Sequence, residues 1–333
     1  MKTDNLAAAS IPGALPIIDL SPMLDDTGMP LRRSSPQKKA MAKQLTDACL
    51  HTGFFYVSGH GIAESLIADV FRETRALFDL PVMEKEAIHK SRSPANRGYE
   101  PLKGQTLEPG SPPDLKEGFY IGEELGPDDP RVQAGRFNHG ANQWPGSRPS
   151  FQTTMMSYFD QLNDLSARIM SALALSLSLP EDYFADFCQK PLSTLRLLHY
   201  PPQPAQPEPG EKGCGAHTDF GGITILLLDN NPGLQVWDAG SEQWINANPV
   251  PGTFVVNLGD MIARWTNDRY RSTLHRVVNS SGAERYSVPF FYSGNPDHEV
   301  RCLPGCLGKG DSPHYPPTTV EQHLMDMYRR TYA

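Results

Sequence analysis

Two histidines and one carboxylate in the C-terminal half of the chain have a spacing that favours a β-sheet fold. His217 and Asp219 lie two positions apart, and a second histidine follows far downstream at His275. Residues i and i+2 of a strand point to the same face, so His217 and Asp219 can reach one metal ion together. His275 must then come from another strand that folding brings alongside. Two histidines and a carboxylate are the facial ligand set of non-haem Fe(II) sites, so the spacing predicts an iron centre on a sheet.

A second pair of polar residues, Arg285 and Ser287, follows this pattern and decides its interpretation. An H-x-D triplet alone is common by chance, but these two residues share one strand face and follow His275 by about ten positions. A guanidinium forms bidentate pairs with carboxylates, and a serine hydroxyl adds a hydrogen bond. We therefore expect the site to hold a carboxylate-bearing molecule next to the metal.

Charge and composition exclude several classes of partner. The chain has 333 residues and a net charge of −8, with no basic block, which argues against a nucleic-acid surface. No apolar run approaches the length of a membrane span. The five cysteines are scattered, odd in number and not preceded by a hydrophobic signal segment, which favours a reducing, cytoplasmic setting. We expect a monomer or weak homo-oligomer that acts on a small molecule.

The second half of the chain reads as a series of short strands. Apolar residues recur with period two or in continuous runs, and turns rich in glycine and proline separate them. The predicted strands span residues 195–200, 223–228, 234–237, 254–258, 275–278 and 287–292. This pattern suggests a double-sheet jelly roll or barrel.

The rest of the chain supplies two further strands and the helices that we expect to support the sheet. Strands are predicted at 15–20 and 54–57, and helices at 36–51, 64–78, 81–89, 149–177, 181–189 and 318–330. We expect one catalytic domain over 1–333. Its parts are a loose tail at 1–13, N-terminal strands and supporting helices at 14–190, a jelly-roll core with the iron site at 191–300, and a C-terminal helical extension at 301–333.

Taken together, these motifs resemble the isopenicillin N synthase-like family of Fe(II)- and 2-oxoglutarate-dependent dioxygenases. The family signature H-x-D, distal H and R-x-S appears here as His217-Thr218-Asp219, His275 and Arg285-Tyr286-Ser287. Gly53-Phe54-Phe55 and Asn257-Leu258-Gly259-Asp260 also match in order. The resemblance extends from about residue 14 to about residue 300.

The resemblance implies a mainly β fold with flanking helices around a double-stranded β-helix core, also called a jelly roll or cupin-like core. It implies Fe(II) bound by His217, Asp219 and His275, with no catalytic residue beyond these ligands. It also implies dioxygen and 2-oxoglutarate as cosubstrates, the far carboxylate of 2-oxoglutarate being bound by Arg285, Ser287 and Tyr200. The activity implied is hydroxylation, desaturation or cyclisation of a small metabolite, typically of secondary metabolism, with release of succinate and CO2.

Two alternatives stay open. The R-x-S motif indicates a carboxylate site but not whose carboxylate fills it, because an oxidase of the isopenicillin N synthase type binds its substrate there and uses no 2-oxoglutarate. The second alternative is a nucleobase hydroxylase. The segments around residues 96–99, 195–201 and 287–296 are similar to fungal thymine 7-hydroxylases within the family.

That second similarity provides candidate residues for the substrate pocket: Asn96, Tyr99, Arg196, Phe220 and Phe291. Arg196 could instead form a salt bridge on its strand. Asn96 could instead stabilise the loop in which it lies. Phe220 stands where many members of the wider family carry a tyrosine, so one polar contact to a base is missing. We expect the loops before the metal-binding segment, especially residues 91–120, to select the substrate.

Overall fold

The computed structural model describes residues 15–24, 34–204, 206–308 and 310–332. The expected tail at 1–13 lies outside these ranges, and the proposed division of the chain into parts stays a prediction. In the described ranges no helix combines the length and the hydropathy needed to cross a membrane.

The helices follow the local sequence signals closely. The α-helices are α1 (Pro36–His51), α2 (Glu64–Phe78), α3 (Val82–Ala87), α4 (Pro130–Gln133), α5 (Pro149–Ser176), α6 (Asp260–Trp265) and α7 (Val320–Tyr332). The start of α1 is capped because the Ser35 side chain accepts a hydrogen bond from the backbone N–H of Lys38. Its first helical residue is a proline, whose missing N–H costs nothing at that position.

The helix predicted at 181–189 is wrong. This segment forms consecutive turns, in which most backbone bonds span three residues and a single one, from Cys188 to Phe184, spans four. The rings of Phe184 and Phe187 both pack on Trp265, at 5.1 and 4.8 Å between centroids. Tertiary packing of these aromatic residues therefore overrides the helical pattern.

The strands form two facing sheets and one small ribbon. They are β1 (Ile17–Asp19), β2 (Phe54–Ser58), β3 (Gly98–Glu100), β4 (Glu117–Gly122), β5 (Ser193–Tyr200), β6 (Cys214–His217), β7 (Ile223–Leu228), β8 (Leu234–Asp238), β9 (Gln243–Asn246), β10 (Phe254–Leu258), β11 (His275–Val277), β12 (Arg285–Tyr292), β13 (Glu299–Val300) and β14 (Thr318–Thr319). The large sheet has the order β1-β2-β10-β7-β12-β5-β4-β3, and the small sheet has the order β6-β11-β8-β9. The mainly β jelly-roll fold with flanking helices is thereby confirmed.

Two separate apolar clusters explain how the site is supported. The larger one lies between the helices and the outer face of the large sheet, where Phe159 of α5 packs edge-on against Phe290 of β12 at 5.3 Å. The smaller one lies inside the jelly roll and includes Phe54, Tyr200 and Val277. Inward-facing residues of both sheets thus form a dry interior, and the metal-binding residues lie beside it.

Candidate metal centre and substrate cavity

The three predicted metal ligands converge. His217 ends β6 and His275 begins β11, and the two residues are direct partners in the antiparallel ladder, with ring centroids 4.3 Å apart. Oδ1 of Asp219 lies 3.7 Å from Nε2 of His217 and 3.8 Å from Nε2 of His275. One ligand atom from each residue falls within 4.8 Å of the others. In the described ranges no second group of three such side chains occurs.

The position of Asp219 differs from the expected strand geometry. β6 ends at His217, and Asp219 lies in the connection before β7. Its carbonyl oxygen accepts a hydrogen bond of 2.8 Å from the backbone N–H of Asp260, at the start of α6. The carboxylate is therefore positioned by a loop held against α6, and the two-residue spacing succeeds without a shared strand.

Backbone carbonyls orient both histidine rings. Nδ1 of His217 donates to the carbonyl oxygen of Gly215 at 2.8 Å, and Nδ1 of His275 donates to that of Thr273 at 3.2 Å. The proton on Nδ1 leaves Nε2 as the nitrogen with the free lone pair on each ring. Burial, reinforced by the neighbouring His217, lowers the pKa of His275 and favours the neutral ring that can bind a metal.

Two side chains fix the Asp219 carboxylate from behind. Oδ2 accepts hydrogen bonds from the Thr224 hydroxyl at 2.6 Å and from the Asn257 amide at 2.8 Å, which leaves Oδ1 directed at the histidines. Burial alone would raise the pKa of Asp219, but His275, His217 and the two donors outweigh it and lower that pKa. Sequence reasoning did not find these roles, although Asn257 lies in a quoted motif and Thr224 is a polar residue in an apolar strand.

The expected carboxylate anchor is a buried arginine with unused donors. Arg285 is 1% exposed, and no carboxylate of the described residues lies within 4 Å of it. Its Nη1 lies 3.5 Å from the Ser287 hydroxyl, a long contact, and its Nε is buried with no partner. The guanidinium carbon lies 4.8 Å above the ring of Tyr200, its cross-strand partner.

These residues suit an incoming carboxylate. Burial raises the pKa of Tyr200 to about 12, so its hydroxyl stays protonated and able to donate. Arg285, Ser287 and Tyr200 line the same small cavity of about 60 Å³ that His217, Asp219 and His275 also line. A metal ligand set and a buried cation facing one dry cavity fit a bidentate metal chelator with a distal acid group.

A second cavity of about 110 Å³ borders two of the metal ligands, and we call it the near lobe. His217 and Asp219 line it, and so do Phe220 and Phe291, two of the residues predicted for the substrate pocket. Leu324 and Tyr328 bring α7 against it, a contribution that the sequence did not reveal.

Arg196 forms the salt bridge considered for it, and its role in the substrate pocket stays a prediction. Its guanidinium forms an ion pair with Glu100 and lies 4.4 Å above the ring of Tyr120, and it also lines the near lobe. Lys90 pairs with the other oxygen of the Glu100 carboxylate. Burial alone would raise the pKa of Glu100, but the charges of Arg196 and Lys90 outweigh it and lower that pKa to about 2.

Asn96 and Tyr99 have different outcomes. Asn96 has a left-handed backbone with φ of 55°, donates to Oδ1 of Asn138 at 2.6 Å, and lines an outer extension of the cavity. Tyr99 is buried and donates to Oε2 of Glu117 at 2.6 Å, and it lines none of the cavities next to the metal ligands. The structure thus does not bring Tyr99 together with the other candidate pocket residues, because its hydroxyl is hydrogen-bonded within the sheet.

Comparisons with known proteins agree along nearly the whole chain. Residues 15–147 match the family described as non-haem dioxygenase in morphine synthesis N-terminal, and residues 191–294 match the 2OG-Fe(II) oxygenase superfamily. The chain is 46% identical to the 2-oxoglutarate-Fe(II) type oxidoreductase hxnY of Emericella nidulans, over 97% of this chain and 91% of that protein. It is 38% identical to the 2-oxoglutarate-dependent dioxygenase citB of Monascus ruber, over 96% and 95%.

Solved structures agree with the fold. The crystal structure of a full-length Neurospora crassa protein in complex with alpha-KG and thymine superposes with a TM-score of 0.82 at 30% identity, covering 98% of this chain and 99% of that one.

Proposed function

The chain belongs to the 2-oxoglutarate- and Fe(II)-dependent oxygenase superfamily, and from this premise we propose that His217, Asp219 and His275 hold the iron at which a small metabolite is oxidised. Enzymes of this superfamily use Fe(II), 2-oxoglutarate and dioxygen, and this protein is a dioxygenase of that kind. The bound metal with its cosubstrates supplies the oxidising power, coupled to release of succinate and CO2.

The observation that carries the proposal is the convergence of three ligand atoms, each oriented by a further hydrogen bond. The Gly215 and Thr273 carbonyls direct the histidine Nε2 atoms inward, and Asn257 and Thr224 direct Oδ1 of Asp219. Such supported ligands lose little conformational freedom on binding a metal. The set of two imidazoles and one carboxylate suits Fe(II) and leaves further coordination positions for cosubstrates.

Arg285, Ser287 and Tyr200 receive the far carboxylate of 2-oxoglutarate in this proposal. Burying a guanidinium without an anion costs desolvation free energy. A planar carboxylate offsets that cost by pairing with the guanidinium through two hydrogen bonds. The relatives are named as 2-oxoglutarate-dependent, which supports this assignment, and nothing favours the alternative of an oxidase that uses no 2-oxoglutarate.

The near lobe positions the substrate. Phe220 and Phe291 provide apolar walls beside Asp219 and His217, so a C–H bond of the substrate is held next to the metal while water is kept out. The Neurospora crassa structure contains thymine, but in this chain Phe220 presents no hydroxyl to a base. We therefore propose a small organic metabolite and do not favour a nucleobase.

The setting is proposed from charge and cysteine chemistry. All five cysteines are free, which suits a reducing compartment such as the cytoplasm. The net charge of −8 disfavours nucleic acid as a partner. We propose a monomer or weak homo-oligomer.

The test is formation of succinate by purified protein with Fe(II), 2-oxoglutarate and a panel of small metabolites. We expect a substrate to stimulate succinate formation and to appear oxidised in equal amount. His217→Ala and Asp219→Ala should each abolish turnover, and an unchanged rate in either variant contradicts the proposal.

A further inference from the structure

Arg97 is a deeply buried cation without a carboxylate in contact among the described residues, although the charges of Glu124 and Glu123 act on it from further away. Its side chain is 2% exposed, and no carboxylate of the described residues lies within 4 Å of its guanidinium. Nη2 donates to the carbonyl oxygen of Asn138 at 2.7 Å, and the buried Nε has no partner. One hydrogen bond to a neutral carbonyl does not compensate the burial of a full charge.

The backbone makes room for this guanidinium. It lies directly on Gly122 of β4, where a Cβ atom would fall 2.0 Å from Nη2 and 2.2 Å from the guanidinium carbon. Burial lowers the pKa of Arg97 to about 10, which reflects the same lack of compensation. The missing side chain at Gly122 thus leaves the space in which the Arg97 guanidinium is held.

Arg285 has the same properties as Arg97 and indicates what they are for. Both arginines are almost fully buried, both have an orphan Nε, and neither has a carboxylate partner among the described residues. The far carboxylate of 2-oxoglutarate accounts for Arg285 in the proposed function. Arg97 has the same unmet requirement for an anion, and 2-oxoglutarate cannot satisfy both.

Arg97 faces a cavity that joins the metal site. This far lobe, of about 280 Å³, is lined by Arg97, Asn96 and Lys90. It shares five lining residues with the near lobe, namely Gln105, Tyr120, Asn138, Thr194 and Tyr328. The two lobes are therefore neighbours, and these five residues lie between Arg97 and the metal ligands.

The charges along this joint cavity favour an anion. Asp219, already assigned to the metal, is the sole carboxylate among the described residues that line the two lobes. Lys90 and Arg196 share the single carboxylate of Glu100, so this group keeps a positive excess even before Arg97 is counted. The near lobe is small: an apolar cavity of about 150 Å³ holds one benzene ring, and the near lobe measures about 110 Å³.

We propose that the primary substrate is a compact carboxylic acid with no more than one ring in the near lobe, its carboxylate bound by Arg97 in the far lobe and its oxidised carbon at the opposite end. This inference rests on the proposed function and specifies its substrate class. In this proposal the carboxylate accepts from the Nη groups of Arg97 and supplies the negative charge that the guanidinium lacks in its immediate surroundings.

Calorimetric titration of the anaerobic Fe(II) enzyme, saturated with 2-oxoglutarate, tests the proposal. Saturation keeps Arg285 occupied, and the absence of dioxygen prevents turnover. The probes are benzoate, phenylacetate and cyclohexanecarboxylate, each paired with its primary amide. We expect at least one acid to bind about tenfold or more tightly than its amide, the effect of a charge-assisted pair.

Three variants locate the effect. Arg97→Met should remove the preference for the acid, and Gly122→Ala should weaken it by displacing the guanidinium while the charge is kept. Arg92→Met, at an exposed arginine of the same segment, is the matched control and should leave the preference unchanged. For each variant, unchanged affinity for 2-oxoglutarate shows that the protein is folded. If Arg97→Met does not fold, Arg97→Lys replaces it and should retain part of the preference for the acid over the amide.

The proposal is overturned if no acid binds, if acids and amides bind the wild type equally, or if the preference survives in Arg97→Met. Its failure is separable from that of the proposed function. Succinate formation in air with an uncharged substrate supports the oxygenase and contradicts the acid site. Tight binding of an acid without any turnover supports the acid site and contradicts the oxygenase.

Discussion

The side-chain amide of Asn257 donates a hydrogen bond of 2.8 Å to Oδ2 of Asp219, the oxygen that faces away from the two histidines. The contact links β10 of the large sheet to the loop that follows β6 of the small sheet. It turns the remaining oxygen, Oδ1, toward His217 and His275, so ligand geometry depends on a residue that never touches the metal.

Asn257→Leu should weaken Fe(II) binding by about 10- to 100-fold, because outer hydrogen bonds to ligating groups have effects of this size. Equilibrium titration of Fe(II) against the apo-protein measures this, and Thr224→Val should have an effect in the same direction. Affinity for iron that equals the wild-type value in both variants contradicts the role assigned to these donors.

Arg285→Met should raise the 2-oxoglutarate concentration needed for half-maximal succinate formation by at least about tenfold, since a buried charge-assisted pair is lost. Arg276→Met, in which the lost guanidinium lies 4.1 Å above Trp244 of the small sheet, is the control and should change this little. If Arg285→Met raises only the KM of the primary substrate, the site holds the substrate carboxylate and the assignment to 2-oxoglutarate is wrong.

Phe291→Ala should loosen substrate placement, because this ring lines both the near lobe and the anchor cavity. The expected result is more succinate released per oxidised product, with the substrate KM increased. A ratio that stays at one succinate per product, measured by mass spectrometry with the wild type alongside, argues against this positioning role.

Glu100 should give the folded protein a stability term that is lost in acid. Its pKa is lowered from 4.5 to about 2 in the folded state, so the term is fully present above about pH 4.5 and disappears as pH falls toward 2. The size is on the order of 3 kcal/mol. Urea unfolding between pH 2 and 7 measures the free energy of unfolding of the wild type and of Glu100→Gln. The variant should already be less stable near pH 7, because Arg196 and Lys90 lose their partner, and its stability should fall less steeply as the pH is lowered.

The parts of the fold that the sequence predicted are those in which local pattern and tertiary packing agree. β7, β10 and α2 have the predicted bounds 223–228, 254–258 and 64–78, because their apolar periodicity matches the face that they bury. β4 overlaps the loop predicted at 91–120, because it begins with a charged residue and a glycine. Pairing with β5 makes it a strand, and that information lies about 75 residues away in the chain.

The site shows the same division. The metal ligands and the anchor were predictable because their residue types and spacing are themselves the chemical signal. Asn257 supports Asp219 from 38 positions away, and Arg97 becomes notable only when its burial and the lack of a contacting carboxylate among the described residues are visible. Residue type alone could not separate this arginine from an exposed one such as Arg92.

An anaerobic crystal structure of the protein with Fe(II) and 2-oxoglutarate, with iron located by anomalous scattering, would test the metal ligands and the anchor together. The expected result is one iron per chain, bound by Nε2 of His217, Nε2 of His275 and Oδ1 of Asp219, with the far carboxylate of 2-oxoglutarate on Arg285. Iron held by any other set of side chains, or a 2-oxoglutarate carboxylate placed away from Arg285, contradicts it.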